Sequence, residues 1–121
     1  MLVSIDAPDK PITRIPHLKE FKSWTSHMSQ EEYKAVIQTL NDKIDGGEVH
    51  TSSWMPGGNW QGTPFQTIYE KACGHNVAAA GECFGIFVWI TMMNRPEKWS
   101  FGRYEKDGAA IKGITYFQLP S

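Results

Sequence analysis

The arrangement of this chain depends on residues 76–94, which read NVAAAGECFGIFVWITMMN. Asn76 is a helix-capping residue type, and the alanines that follow it favour a helix by propensity. Residues 84–91 are instead rich in β-branched and aromatic residues, which strands prefer. Because the run is apolar on every side, periodicity does not separate a buried helix from a buried strand. Its length favours one helix over 77–93, and a strand over 84–93 is the alternative.

Upstream of this run, residues 30–45 carry the clearest helix signals. Ser29 and Glu32 have the spacing of a capping box at the helix start. Gly46 and Gly47 predict the stop, because glycine tolerates the left-handed conformation that often ends a helix. The apolar residues recur at the spacing of one buried helical stripe: Tyr33, Val36, Ile37, Leu40 and Ile44.

A second helix is predicted over 64–73. Thr63 is a candidate N-cap, and Pro64 suits the first helical position because its missing N–H would be unpaired there anyway. Gln66 completes a capping-box pattern with Thr63. Gly74 predicts the end of this helix.

Two regions predict a small antiparallel sheet. Residues 48–55 form one predicted strand, which ends at a Pro-Gly-Gly turn. Residues 98–119 predict a hairpin, because an Asp-Gly pair at 107–108 is a tight-turn signal between two apolar runs. The predicted fold class is therefore α+β, with this sheet covered by about three helices over 30–45, 64–73 and 77–93.

The length of 121 residues suits one domain that spans 1–121. Prolines interrupt residues 1–28, which predict an irregular N-terminal arm that wraps the domain. Within this arm, Leu2 and Val3 can start an edge strand. A short helix over 17–24 would turn Leu18 and Phe21 inward.

The beginning of the chain lacks the basic and apolar regions of a secretory signal peptide. The apolar run of residues 83–93 is about half a membrane span, so we expect no membrane insertion. A cytoplasmic location follows as an expectation, with Cys73 and Cys83 as reduced thiols.

Charge is distributed unevenly along the chain. The net charge of −1 argues against a polyanion binder by bulk electrostatics. Residues 49–94 contain only three charged side chains, Glu70, Lys71 and Glu82. A segment with so little charge is typical of a core, and it also suits a homodimer interface.

Residues 54–65, WMPGGNWQGTPF, are the best candidate for a binding site. A loop that is both aromatic and glycine-rich is expected to fold against its own core, a partner or a ligand. Two indole rings could wall a pocket for a planar or cationic ligand, or they could fill the core. The predicted ligand-binding residues are Trp54, Trp60 and Phe65, with His50, Arg95 and Trp99 as neighbours.

Two motif-like patterns are incomplete. Gly57 to Thr63 has the outline of a phosphate-binding loop but lacks its lysine, and Pro64 removes an N–H that an anion would use. His50, Cys73, His75 and Cys83 are candidate zinc ligands, but only Cys73 and His75 form a short pair, and structural zinc sites usually have two. The sequence therefore predicts no cofactor and no metal.

The leading interpretation is a non-enzymatic binding module for a small molecule or a protein partner. No catalytic residue is assigned, because no Gly-x-Ser-x-Gly elbow is present. One alternative is a small hydrolase or transferase that pairs His50 with Glu82 or Glu97. Another is a nucleic-acid-associated protein that uses the mixed aromatic and basic residues of 95–104, although neighbouring acids disfavour nucleic acid there.

Overall fold

Helices pack on a small antiparallel sheet, as the α+β prediction requires. The computed structural model describes residues 1–4, 6–46, 50–51, 60, 62–102, 105–106, 109–110 and 115–119. The helices are α1 (Leu18–Thr25), α2 (Gln30–Asp45) and α3 (Val77–Met93), with a π-helical turn at Ile68–Ala72. The strands are β1 (Val3–Ser4), β2 (Ala7–Pro11), β3 (His50–Thr51), β4 (Trp99–Gly102), β5 (Glu105–Lys106), β6 (Ala109–Ala110) and β7 (Thr115–Gln118).

Helix α2 begins at the predicted capping box. The Ser29 hydroxyl accepts the Glu32 N–H, and the Glu32 carboxylate accepts the Ser29 N–H. The predicted stripe faces inward, with three of its members buried and the other two partly buried against the core. Gly46 follows the helix with a φ of −74°, so the left-handed stop expected of glycine is not found at this residue.

Residues 77–93 form one helix, so the strand alternative is wrong. The Asn76 carboxamide oxygen accepts the Ala79 N–H at 3.0 Å and caps the first turn. Buried residues lie on several sides of α3, because α1, α2 and the π-helical turn all pack against it. A central helix of this kind has no polar stripe, which explains why periodicity was uninformative.

The helix predicted over 64–73 is present but irregular. The Cys73 N–H donates to the Ile68 oxygen five residues earlier, which defines a π-helical turn instead of an α-helical one. Thr63 does not cap through its side chain as predicted. Its hydroxyl donates to the Trp60 oxygen at 2.6 Å. Gly74 ends the segment with a φ of +56°, where glycine is unstrained.

The main sheet has three antiparallel strands in the order β3-β7-β4. The predicted hairpin is confirmed by the pairing of β4 with β7 and of β5 with β6 beyond them. The predicted turn at 107–108 lies outside the described residues, as do 48–49 and 52–55 of the predicted first strand. The register pairs His50 with Tyr116, and Tyr116 with Phe101.

The N-terminal region contributes strands β1 and β2 and helix α1. Leu2 and Val3 are fully buried, and Leu2 forms a parallel bridge with Trp99 beside the main sheet. Phe21 is buried as expected, but Leu18 is 37% exposed, so its predicted inward orientation is wrong. The single-domain organisation stays a prediction. None of the described helices is long and apolar enough to cross a membrane.

Candidate functional site

Trp60 is the aromatic residue in the described part of the predicted binding loop that is only partly buried. Its ring centroid lies 5.4 Å from that of Phe84 and 6.4 Å from that of Phe65. Phe65 and Phe84 meet edge to face at 5.2 Å. We call these three rings the Trp60 cluster. Such tilted and perpendicular contacts are the favoured geometries for aromatic pairs.

Burial differs sharply within the Trp60 cluster. Phe65 is 0% exposed and Phe84 is 2% exposed, whereas Trp60 is only partly buried. The Trp60 backbone is also held, because its carbonyl oxygen accepts both the N–H and the hydroxyl of Thr63, at 3.0 and 2.6 Å. Phe65 and Phe84 therefore support the indole from the core, and Trp60 is the member that a ligand can touch.

Two other predicted site residues cannot be placed in this cluster. Trp54 and the rest of 52–59 lie outside the described residues, and so does residue 61. His50 lies in β3, where its backbone pairs with Tyr116. The predicted role of its imidazole lies outside what the structure describes.

Arg95 is the centre of a polar network at the end of α3. Its guanidinium donates to the Asn41 amide oxygen at 2.8 Å, to an Asp45 carboxylate oxygen at 2.6 Å and to a Glu97 carboxylate oxygen at 2.7 Å. Only 10% of the Arg95 side chain is exposed. We call these four residues the Arg95 clamp. It joins the last turns of α2 to the connection between α3 and β4.

The clamp shifts the ionisation of its members. Burial opposes the charge of Glu97, but the hydrogen bond and charge of Arg95, together with a backbone hydrogen bond and the charge of the Met1 α-amino group, outweigh it, so the pKa of this carboxyl lies below its ordinary value. Burial also opposes the charge of Arg95, and its two carboxylate partners raise its pKa. The Arg95 cation is therefore engaged within the protein at all ordinary pH values.

The predicted site residues separate into two groups along α3. Phe84 and Arg95 are eleven positions apart, which corresponds to about 16 Å along a helix axis. Trp99 belongs with Arg95. The Trp99 backbone N–H donates to the carbonyl oxygen of Met1, and the α-amino group of Met1 donates to the carbonyl oxygen of Met92 at the end of α3. Trp99 is also only 5% exposed. The structure thus brings Trp60 and Phe65 together and leaves Arg95 and Trp99 elsewhere.

The candidate catalytic and nucleic-acid-binding residues have other surroundings. Glu82 is exposed on α3, and Glu97 is held in the clamp. Phe101 turns toward the helices and meets Trp89 at 4.8 Å, edge to face. Lys98 lies 3.8 Å from Asp9. Residues 103 and 104 lie outside the described part of the chain. Within that part, no three His, Cys, Asp or Glu residues are placed to share a metal ion.

A groove between α2 and α3 was not anticipated from the sequence. It is shallow and open, with a volume of about 410 Å³. The only signal for it was the i, i+4 spacing of Tyr33 and Ile37, which lie at the edge of the buried stripe. The lining residues are Tyr33, Lys34, Ile37, Gln38, Ile90 and Asn94.

No protein-family model matches this chain, and no curated protein and no solved structure shows significant similarity to it. The functional argument therefore depends on the chain's own residues. The Trp60 cluster and the groove between α2 and α3 are two candidate binding surfaces among the described residues. They differ in that the first presents an aromatic ring and the second a mixed polar and apolar wall.

Proposed function

We propose that this protein is a small non-enzymatic binding module that uses the loop around Trp60 to bind a small molecule or a protein partner. The observation that carries the proposal is the state of Trp60. Its indole is held by two core rings and its carbonyl by Thr63, yet the residue is only partly buried. A cytoplasmic location and the ability to form a homodimer are parts of the same proposal.

Preorganisation supports this role for Trp60. A ligand that contacts a ring already fixed by the core does not have to restrict its rotamers on binding, which saves about 0.5–1.5 kcal/mol per side chain. Indole faces attract planar groups by stacking and cations through the ring quadrupole. We therefore expect planar aromatic compounds or quaternary ammonium ions among the ligands.

The two carboxylates of the hydrolase or transferase alternative differ in their surroundings. The hydrolase or transferase alternative needs a carboxylate within hydrogen-bonding reach of His50. Glu97 directs one carboxylate oxygen to Arg95 at the far end of α3, and Glu82 is on the exposed side of that helix.

A thermal-shift panel of planar aromatic compounds and quaternary ammonium ions tests the proposal. A ligand at about 100 times its Kd adds about 2.7 kcal/mol to native stability, which is easily seen as a higher Tm. The shift should disappear in Trp60→Ala and be reduced in Trp60→Phe. Circular dichroism should show that both variants keep the helical content of the wild type.

Gln38→Ala is the matched control, because it alters the groove between α2 and α3 and leaves the Trp60 cluster intact. We expect it to keep the full ligand response. A response that survives Trp60→Ala and is lost in Gln38→Ala would move the binding site to the groove. A panel without any response in the wild type would contradict the proposed ligand class.

A further inference from the structure

The α-amino group of Met1 lies among backbone carbonyl oxygens at the place where helix α3 ends. It donates to the carbonyl oxygen of Glu97 at 2.8 Å, to that of Met92 at 3.2 Å, and to that of Arg95. An ammonium group carries three donors, so each of its N–H bonds has an acceptor here. We call these three oxygens the amino site.

The surroundings of the amino site favour a cation. Carbonyl groups at the end of a helix carry partial negative charge, and the last turn of α3 has no basic side chain of its own. The Oε2 atom of Glu97 is also buried without a hydrogen-bond partner among the described residues. Burial opposes the charge of this carboxyl, and the charge of Met1 acts together with Arg95 to lower its pKa.

The Met1 α-amino group is itself partly removed from water. Burial lowers its pKa, the charge of Glu97 opposes this change, and the charge of Arg95 adds to it. Charge alone therefore does not keep the group in place, and the three hydrogen bonds to the amino site are needed to compensate for its lost hydration.

The amino site anchors a segment that is otherwise attached by few hydrogen bonds. The Met1 carbonyl oxygen accepts the Trp99 N–H at 2.8 Å, and the Leu2 carbonyl oxygen accepts the Ile12 N–H at 2.7 Å. Leu2 and Val3 are both 0% exposed. Terminal residues are usually poorly ordered unless they are tied down. Here the α-amino group ties residues 1–4 to the end of α3, beside β4.

Acylation of the Met1 nitrogen is incompatible with the amino site. An amide nitrogen keeps one N–H and no charge, so two of the three carbonyl oxygens would lose their donor. The acyl oxygen would add another acceptor where only acceptors are present. Buried polar groups without partners are costly, and Glu97 would also lose a neighbouring positive charge.

We propose that the amino site is a switch for residues 1–4, which pack beside β4 when the Met1 α-amino group is free and are released when that nitrogen is acylated. The acyl donor is a thioester. The neutral amine attacks the acyl carbonyl carbon, the N–C bond forms, the C–S bond breaks, and the thiol leaves with the amine proton. The switch is independent of the binding role proposed for Trp60, because the Trp60 cluster and the amino site share no residue.

The test compares two versions of the full 121-residue chain, prepared by peptide ligation at Cys73 with either a free or an acetylated Met1 nitrogen. In hydrogen exchange, the amides of Trp99 and Ile12 should exchange about 10 to 100 times faster in the acetylated chain, because charge-assisted hydrogen bonds are lost. Amides in the middle of α2 should keep their exchange rates. A chain acetylated instead at the exposed Lys10 side chain is the matched control and should exchange like the free chain.

A second measurement uses the unmodified chain, so it does not depend on the folding of the acetylated one. The protein is labelled near neutral pH with a small amount of an amine-reactive acetyl ester, and mass spectrometry compares Met1 with Lys10. Relative to Lys10, the Met1 nitrogen should react about ten times more slowly in the folded protein than in urea, because reaction needs residues 1–4 to open.

Three results would overturn the proposal. The first is equal exchange of the Trp99 and Ile12 amides in the free and acetylated chains. The second is equal relative labelling of Met1 in the folded and the unfolded protein. The third is faster exchange throughout α2 as well, because acylation would then destabilise the whole fold instead of releasing residues 1–4.

Discussion

The first half of α3 packs against aromatic rings, whereas the connection that follows α3 is held by charged and amide groups around Arg95. The Trp60 cluster depends on apolar area and ring geometry, which salt and moderate pH changes leave intact. The Arg95 clamp depends on charge-assisted hydrogen bonds, which need each partner to stay ionised and in place. Apolar packing therefore attaches the first half of α3, whereas charge-assisted hydrogen bonds attach its end. Only the second attachment is expected to depend on salt and pH.

The largest effect is expected from Phe84→Ala. Phe84 is 2% exposed and supports both Trp60 and Phe65, so truncation leaves a cavity in the core. The free energy of unfolding should fall by about 3–5 kcal/mol in urea denaturation, equally at low and high salt. Phe84→Leu is the control and should lose less than half as much. A loss of stability that depends on salt would contradict the apolar character of the packing around the first half of α3.

A smaller loss is expected from Arg95→Met, which keeps much of the side-chain volume and removes the cation. Asn41 and Glu97 would then lack the donors that now satisfy them, at a cost of about 1–3 kcal/mol. The loss should shrink in high salt, because screening weakens the wild-type clamp. Lys98→Met is the matched control, since its partner Asp9 is 95% exposed at 3.8 Å, and it should change stability little.

Asn76→Ala tests the attachment of the first turn of α3. The Asn76 carboxamide oxygen satisfies the Ala79 N–H, which has no partner within the helix. Its removal should cost about 1 kcal/mol in thermal or urea unfolding. Asn76→Asp should retain most of the stability, because a carboxylate also accepts this N–H. If Asn76→Ala were as stable as the wild type, packing alone would define the start of the helix.

The smallest effect is expected on the stability of the protein at acidic pH. The folded-state pKa of Glu97 is lowered, so the clamp's contribution is fully present above the ordinary carboxyl pKa and is lost as pH falls through the folded value. Stability should decline below about pH 4.5. Glu97→Gln should flatten that decline in unfolding curves from pH 6 to pH 3, and Phe84→Leu should not. If Glu97→Gln left the pH dependence of stability unchanged, the ionisation of Glu97 would not contribute to stability.

Local signals in the sequence were sufficient for α2 and the hairpin. The capping box at Ser29 and the apolar stripe lie within the helix that they specify, and the Asp-Gly pair at 107–108 separates in sequence the two strands β5 and β6 that pair with each other. The identity of α3 was not available from periodicity, because a helix surrounded by other elements has no polar face to reveal its period. The π-helical turn was missed for a similar reason, since neither Thr63 nor Pro64 specifies how the following turn closes.

The residues of the candidate site also divide into those that are close in the chain and those whose contacts come from distant segments. Trp60 and Phe65 were predicted to lie together, and five positions along one chain keep them close. Arg95 was predicted beside them, yet its partners Asn41 and Asp45 are 54 and 50 positions away in sequence. No pattern near Arg95 contains that information.

The sequence alone therefore determined the fold class, helix α2 and the aromatic character of the loop around Trp60, because each depends on residues that are neighbours in the chain. Only the tertiary structure decided that α3 is a central helix and that Arg95 is bound to α2. These features come from packing between distant segments, where the shape and burial of the whole molecule choose among locally equivalent alternatives.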